Sequence, residues 1–262
     1  MAISRVIGCI SSKGGVGKTT SAINLAAALN HFGKSVTLVD ANLTAPNIGI
    51  YLGVPIPPST IHDALRGKKD GREVLYNHKS GIKLVAGSIS LKDAKKADPH
   101  RLGHVLRDLE GHSDFIIVDG SPGLGRESNA VMRVLNEVIV VTNPEMPGVT
   151  DALKTVKLCK EHRKDILGVL VTKTNVKNAD MSLKSIQEIL EVPVLGVIPE
   201  DRAVKYALAN KETVVHSYPK SAASVQYKKL AADLLNIKYN ERIEVDSGSF
   251  LDGVLRWLGI KD

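Results

Sequence analysis

Cysteine is almost missing from this chain of 262 residues: only Cys9 and Cys159 occur, far apart and in no C-x-x-C pair. A zinc knuckle, a redox couple and an iron–sulfur cluster held by one chain's cysteines are therefore not expected, and a reducing compartment fits. Aromatic residues are scarce at 4%, which leaves too few rings for a single-strand stacking surface. No run of about eighteen apolar residues occurs, so no spanning helix is expected. The start, MAISRVIGCIS, has neither a charged leader nor a long apolar core, and no signal peptide is read there. No G-x-S-x-G exists to support a Ser/His/Asp hydrolase. The eight histidines show no metal spacing; His100 and His104 lie four apart on a predicted helix without a third ligand nearby, and read as exposed surface.

What is present is ordinary globular material, 43% apolar and 24% charged. That suffices for a large core without disulfide or metal staples. A formal net charge of +7 favours an anionic partner such as nucleotide, nucleic acid or lipid headgroups. Seven short apolar runs read as buried strands because they are rich in Val and Ile and lack polar alternation: 3–10, 35–39, 82–86, 115–118, 138–142, 167–172 and 194–198. Between them fall helical candidates over 19–32, 99–109, 126–135, 150–162, 182–190 and 222–235. This alternation predicts an α/β fold, a mainly parallel central sheet with helices on both faces, and ligands at the carboxyl ends of the strands. Residues 2–236 read as one domain, 237–249 as a linker and 250–262 as a tail.

Directly after the first strand stands Ser12-Lys13-Gly14-Gly15-Val16-Gly17-Lys18-Thr19-Thr20, and a helix follows. Strand, glycine-rich loop and helix is the setting of a phosphate loop. The glycines let backbone N–H groups of Gly14 to Gly17 turn around a polyphosphate, and the helix N-terminus adds its positive dipole end. Lys18 supplies an ammonium for the β- and γ-phosphates and Thr19 a hydroxyl for magnesium. The strict G-x-x-x-x-G-K-[ST] pattern wants Gly where Ser12 stands; the second lysine, Lys13, compensates for that mismatch. Lys154, Lys157, Lys160 and Lys164 recur at helical spacing, a stripe that suits a solvated face, DNA or anionic lipid.

Lys13-Gly14-Gly15-Val16-Gly17-Lys18-Thr19 resembles the deviant Walker A motif of the MinD/ParA family of P-loop ATPases, with the SIMIBI-type P-loop fold. Val39-Asp40-Ala41-Asn42 with Pro46-Asn47 resembles switch I, and Ile117-Val118-Asp119-Gly120-Ser121-Pro122-Gly123 resembles the Walker B strand and switch II. Thr142-Asn143-Pro144-Glu145, Val171-Thr172-Lys173-Thr174-Asn175 and Gly196-Val197-Ile198-Pro199-Glu200-Asp201 look more like MinD than ParA. The resemblance implies ATP and Mg2+ as ligands and an ATP-sandwiched homodimer in which Lys13 reaches the partner's nucleotide. It implies magnesium at Asp119, through a water, and a role for Asp40 beside the metal or Lys18. In the family an aspartate usually orients the attacking water at the position of Asn42. An amide is no base, although it can hydrogen-bond a water, so slow hydrolysis is expected. Natural slow turnover, a carboxylate supplied from elsewhere in the loop, and an Asp→Asn change that traps ATP remain open. Base or ribose contacts are implied for Thr172, Lys173, Pro199, Glu200 and Asp201, the last of which also suits a helix N-cap.

At 100° per residue Phe250, Leu251, Val254, Leu255, Trp257 and Leu258 share one face of about 160°. Eleven residues reach roughly 16 Å as a helix, enough to lie in a membrane interface but not to span it. The whole pattern reads as an ATPase switch of the MinD type: ATP-dependent dimerisation, reversible membrane attachment through the tail from the cytoplasm, and release on hydrolysis stimulated by an activator protein. A ParA-type partition ATPase that binds DNA, an iron–sulfur carrier ATPase and a scaffold with structural ATP are the alternatives.

Overall fold

Long apolar runs without polar alternation can be satisfied only in the middle of a covered sheet, and that is where they lie in the computed structural model, which describes residues 3–175 and 181–241. Eight strands form one sheet: β1 Arg5–Ile10, β2 Val36–Ala41, β3 Tyr76–Asn77, β4 Lys83–Val85, β5 Phe115–Gly120, β6 Glu137–Thr142, β7 Asp165–Thr174 and β8 Val194–Pro199. Their order across the sheet is β3-β4-β2-β5-β1-β6-β7-β8, and every pairing is parallel except β3 with β4. The expected mainly parallel sheet is thus present, with one short antiparallel edge strand added.

The helices are α1 Lys18–His31, α2 Ile48–Tyr51, α3 Ile61–Leu65, α4 Leu91–Lys96, α5 Leu102–Leu109 and α6 Arg126–Val134, followed by α7 Met146–Glu161, α8 Leu183–Leu190, α9 Arg202–Ala209, α10 Val214–Ser217 and α11 Ala222–Leu234. Alternate residues of each central strand feed two separate cores. Ile7, Cys9, Leu38, Ile117 and Ile139 pack with α1 and α11 through Ile23, Leu25, Leu29, Tyr227 and Leu230. Val39, Ile116, Val118, Val138 and Val140 pack on the opposite face with α3, α5, α6, α7 and α8. Each fully buried Leu, Ile or Val contributes about 1.5–3 kcal/mol. Both faces of β1, β2 and β5 are therefore covered, and only the strand ends are free to carry chemistry.

Helix α7 begins at Met146, four residues before the predicted start, because Pro147 lies in its first turn, where a missing N–H costs nothing. The lysines at 154, 157 and 160 are exposed on it; Lys154 pairs with Asp151 and Lys160 with Glu191, while Lys164 donates to the Arg133 carbonyl. His100 and His104 are exposed, but His62 and His78 are buried, each bonded to a backbone carbonyl. After α11 the chain folds back: Tyr239 meets Phe32 edge-on, and Glu241 accepts from Tyr239 and from Lys228, itself 1% exposed. Among the described residues no helix is long and apolar enough to cross a membrane. The tail at 250–262, with Phe250, Leu251, Val254, Leu255, Trp257 and Leu258, lies outside the described residues, as do linker residues 242–249.

Candidate nucleotide site

The carboxyl ends of β1, β2 and β5 meet at one place. Cys9 pairs in register with Asp119, and Asp40 with the same Asp119 on its other side. The loop that leaves β1 enters α1 through Gly17, whose φ of +90° is a left-handed conformation that only glycine adopts without strain. Gly15 is also left-handed, at +79°, and a side chain on Gly14 or Gly15 would meet no atom within 4 Å. The loop is thus an open cradle of backbone rather than a packed turn. Val16 points into the core at 2% exposure, leaving only its backbone to face a ligand. Thr20 is half-buried and its carbonyl accepts from the Asn24 side chain.

Lys18 is 6% exposed, and its Nζ donates to Asp119 Oδ1 at 2.5 Å; Thr19 Oγ1 donates to Asp119 Oδ2 at 2.7 Å. One buried carboxylate therefore holds the ammonium and the hydroxyl that a phosphate loop turns toward its ligand. Asp40, fully buried, accepts from the N–H groups of Asn42, Asn47 and Ile48 and so folds switch I around itself. The expected direct contact with Lys18 is not made; Lys18 goes to Asp119. Burial, and then the charge of Asp119, push the Asp40 carboxyl up to about 7. Behind them burial and the same charge push the Cys9 thiol up to about 12, so it is inert. Two buried carboxyl groups thus stand near one buried ammonium that is bonded to Asp119 alone, and these oxygens, with the hydroxyl of Thr19, are a donor set that suits a hard divalent cation.

Asn42 is 8% exposed and its Oδ1 accepts from the Ala45 N–H, a local turn that uses the amide structurally. Lys13, by contrast with Lys18, stands at the rim with a third of its side chain exposed, 3.3 Å from Glu145. The Asn143 side chain and then Lys13 hold the Glu145 carboxyl below its usual range. Ser12, the mismatch to the strict motif, donates to the Asp151 carbonyl at 2.5 Å and accepts from Thr155, tying the loop to α7.

The side chains of the later loops, for which the resemblance implied base or ribose contacts, have partners within the fold. Thr172 is buried, with Oγ1 donating to the Val16 carbonyl at 2.5 Å and to the Thr142 carbonyl at 3.1 Å. Lys173, left-handed at φ +52°, donates to the Gly15 carbonyl at 2.6 Å. Both brace the phosphate loop from behind. Pro199 is buried and pairs with Thr174, Glu200 is exposed 3.5 Å from Lys205, and both oxygens of Asp201 are used by the N–H groups of Ala203 and Ala223. Asp201 thus caps α9, as its sequence position suggested, and α11 as well.

Two acidic residues of the site escaped the sequence reading. Glu145 sat inside a quoted motif without a role. Glu127, in the first turn of α6, accepts from the N–H groups of Leu43 and Thr44 and from Thr44 Oγ1, clasping switch I to the helix after switch II; only its place at a helix start could have marked it.

Comparison with known proteins agrees with this geometry. The family described as ParA, NUBPL iron-transfer P-loop NTPase, matches residues 2–235. The uncharacterized ATP-binding protein MJ0547 of Methanocaldococcus jannaschii is 35% identical over 96% of each chain. The cell division ATPase MinD of Pyrococcus furiosus superposes with a TM-score of 0.85 at 32% identity, covering 89% of this chain and 99% of that one. The septum site-determining protein MinD of Pyrococcus horikoshii, complexed with Mg-ADP, gives 0.84 at 33%, covering 88% and 96%.

Proposed function

This chain belongs to the ParA family of P-loop NTPases as a MinD-like member, and from that premise we propose that it is an ATP-dependent dimerising switch that attaches reversibly to membrane and positions a cell-division or other cellular structure. The observation that carries the reading is the unequal setting of its two loop lysines. Lys18 is buried on Asp119, whereas Lys13 projects at the rim, where a second copy could approach. ATP occupies the cradle of residues 14–17, with Lys18 leaving Asp119 for the phosphates. The Thr19 hydroxyl, and Asp119 through a water, would hold Mg2+, which would supply charge neutralisation of the phosphates; the complex of the Pyrococcus horikoshii relative with Mg-ADP supports that choice. Lys13 leaves Glu145 and meets the partner's nucleotide, where its charge offsets the repulsion between two ATP-loaded faces.

Two weakly binding tails at 250–262, joined in the dimer, gain effective concentration and make attachment conditional on ATP. Release follows hydrolysis, stimulated by an activator protein. Between events the protein is cytoplasmic, and when ATP-bound it lies at the inner face of the cell membrane. The test is sedimentation of the full chain with liposomes in ATP and in ADP, and of a chain ending at residue 249. ATP-dependent pelleting that the truncation abolishes is the expected result. ATP-dependent retention on DNA, sensitive to salt and indifferent to the truncation, would instead establish the ParA-type reading.

Turnover is slow because Asn42 is no base. Single-turnover kinetics on Asn42→Asp should show a rise of about tenfold, near 1.4 kcal/mol of barrier. An Asp can still accept from Ala45, so the switch keeps its shape.

A further inference from the structure

Away from the nucleotide cradle, a cleft of about 620 Å3 opens between the end of α3, the loop 67–73 and α5. Its volume falls inside the ~300–1,000 Å3 range of small-ligand sites. Four nitrogen-bearing side chains line it: Lys68, Lys69, Arg101 and His104. Three carboxylates line it too, but each already has a task. Asp70 accepts from the N–H groups of Glu73 and Arg72 and from the Arg72 guanidinium, and the Glu73 N–H first, then that guanidinium, hold it below its usual range; Glu73 accepts from the Asp70 N–H, and Asp108 from the Gly71 N–H. They build the loop.

The cations are less committed. Lys69 donates to Ser59 Oγ at 2.5 Å, and His104 meets Arg107 at 2.8 Å. Among the described residues the side chains of Lys68 and Arg101 have no hydrogen-bond or ion-pair partner. Arg101 is nevertheless seated: a Cβ on Gly67 would fall 2.3 Å from Arg101 Nη1 and 2.9 Å from Nη2, so the guanidinium occupies the notch that this glycine leaves, at φ +69°. A guanidinium fork and an ammonium that line one cleft, neither bonded to a carboxylate, are the pair that recognises a phosphate group with directed, charge-assisted bonds.

We propose that this cleft binds a small polyanion bearing a phosphate monoester or pyrophosphate group, held by Arg101 and Lys68 and assisted by Lys69. A compact anion fits better than a nucleic-acid backbone, because Asp70, Glu73 and Asp108 flank the cations and would repel a continuous line of phosphates.

The test is a titration of the 15N-labelled full chain with inorganic pyrophosphate, followed through backbone amides. The amides of Gly67, Lys68 and Gly71 report this cleft and those of residues 14–20 report the nucleotide loop, so one spectrum separates the two sites. Saturable shifts at Gly67, Lys68 and Gly71 are expected, weakened at least fivefold in Arg101→Gln and in Lys68→Gln while the response at residues 14–20 stays as it was. Cleft amides that stay still at millimolar pyrophosphate, or that shift equally in Arg101→Gln, would overturn the proposal. So would shifts produced by a DNA duplex or phosphatidylglycerol vesicles but not by pyrophosphate.

Discussion

The two halves of the strand-end surface are built on opposite plans. At β1, β2 and β5 the glycine-rich loop offers its backbone outward, and among the described residues the polar side chains Lys18, Thr19 and Asp119 are bonded only to one another. At β7 and β8 the polar side chains are spent on the fold: Thr172 and Lys173 brace the loop and Asp201 caps two helices. A group bonded to a ligand-replaceable partner can be recruited to chemistry, while a group whose partners are backbone carbonyls or N–H groups of the fold must disturb the backbone to leave. If the phosphate end is the switch proposed above, the β7–β8 end is its frame.

The strongest test removes the switch. Lys18→Ala should weaken ATP binding at least about 100-fold, near 2.7 kcal/mol. It should also destabilise the free protein by about 3 kcal/mol, because Asp119 is left buried without its cation. Adding Asp119→Asn to Lys18→Met should restore most of the stability, read by urea unfolding, and none of the nucleotide affinity, read by calorimetry. If the double substitution also recovers ATP binding, the cradle is not where the nucleotide sits.

A second prediction sharpens the same half. The Asp40 carboxyl is raised to about 7 in the fold, against about 3.9 in the unfolded chain. A raised folded value means that the folded state binds the proton more tightly; the contribution is complete below about pH 4 and is lost as pH climbs through about 7. Without nucleotide or Mg2+, stability should therefore fall with rising pH in this window, by up to about 1.4 kcal/mol per unit. His62 and His216, held low by burial, pull the opposite way, losing stability as pH falls below about 6.5. The difference between the wild-type and Asp40→Asn unfolding curves isolates the Asp40 slope, and a flat difference between pH 5 and 7 would show that Asp40 is ionised throughout.

The same division explains what could be read from the sequence. Seven of the eight strands announced themselves because burial demands uninterrupted apolar runs, and the cradle did because its conformation is carried by glycine φ angles and a strand–loop–helix order. Strand β3 is two residues at an antiparallel edge, and α2, α3 and α10 have four or five residues each, too short to display a helical period. Side-chain partners were the least legible. That Thr172 meets Val16 or that Glu127 meets Leu43 depends on packing between elements far apart in sequence, and residue type alone left Thr172 and Asp201 equally suited to ligand and to frame.

The smallest effect is the most direct test of the frame. Asp201 supplies one oxygen to the Ala203 N–H at 2.8 Å and the other to the Ala223 N–H at 3.0 Å, so a single carboxylate faces the positive ends of α9 and α11. Losing one cap costs about 1 kcal/mol, and the second bond raises the figure toward 2. Asp201→Ala should therefore lower the unfolding free energy by about 1–2 kcal/mol while ATP affinity changes less than about threefold, or 0.7 kcal/mol. Asp201→Asn, which keeps one acceptor, should recover part of the loss. A fall of tenfold or more in ATP affinity with unchanged stability would give Asp201 back to the nucleotide, and the two ends of the surface would then share one plan.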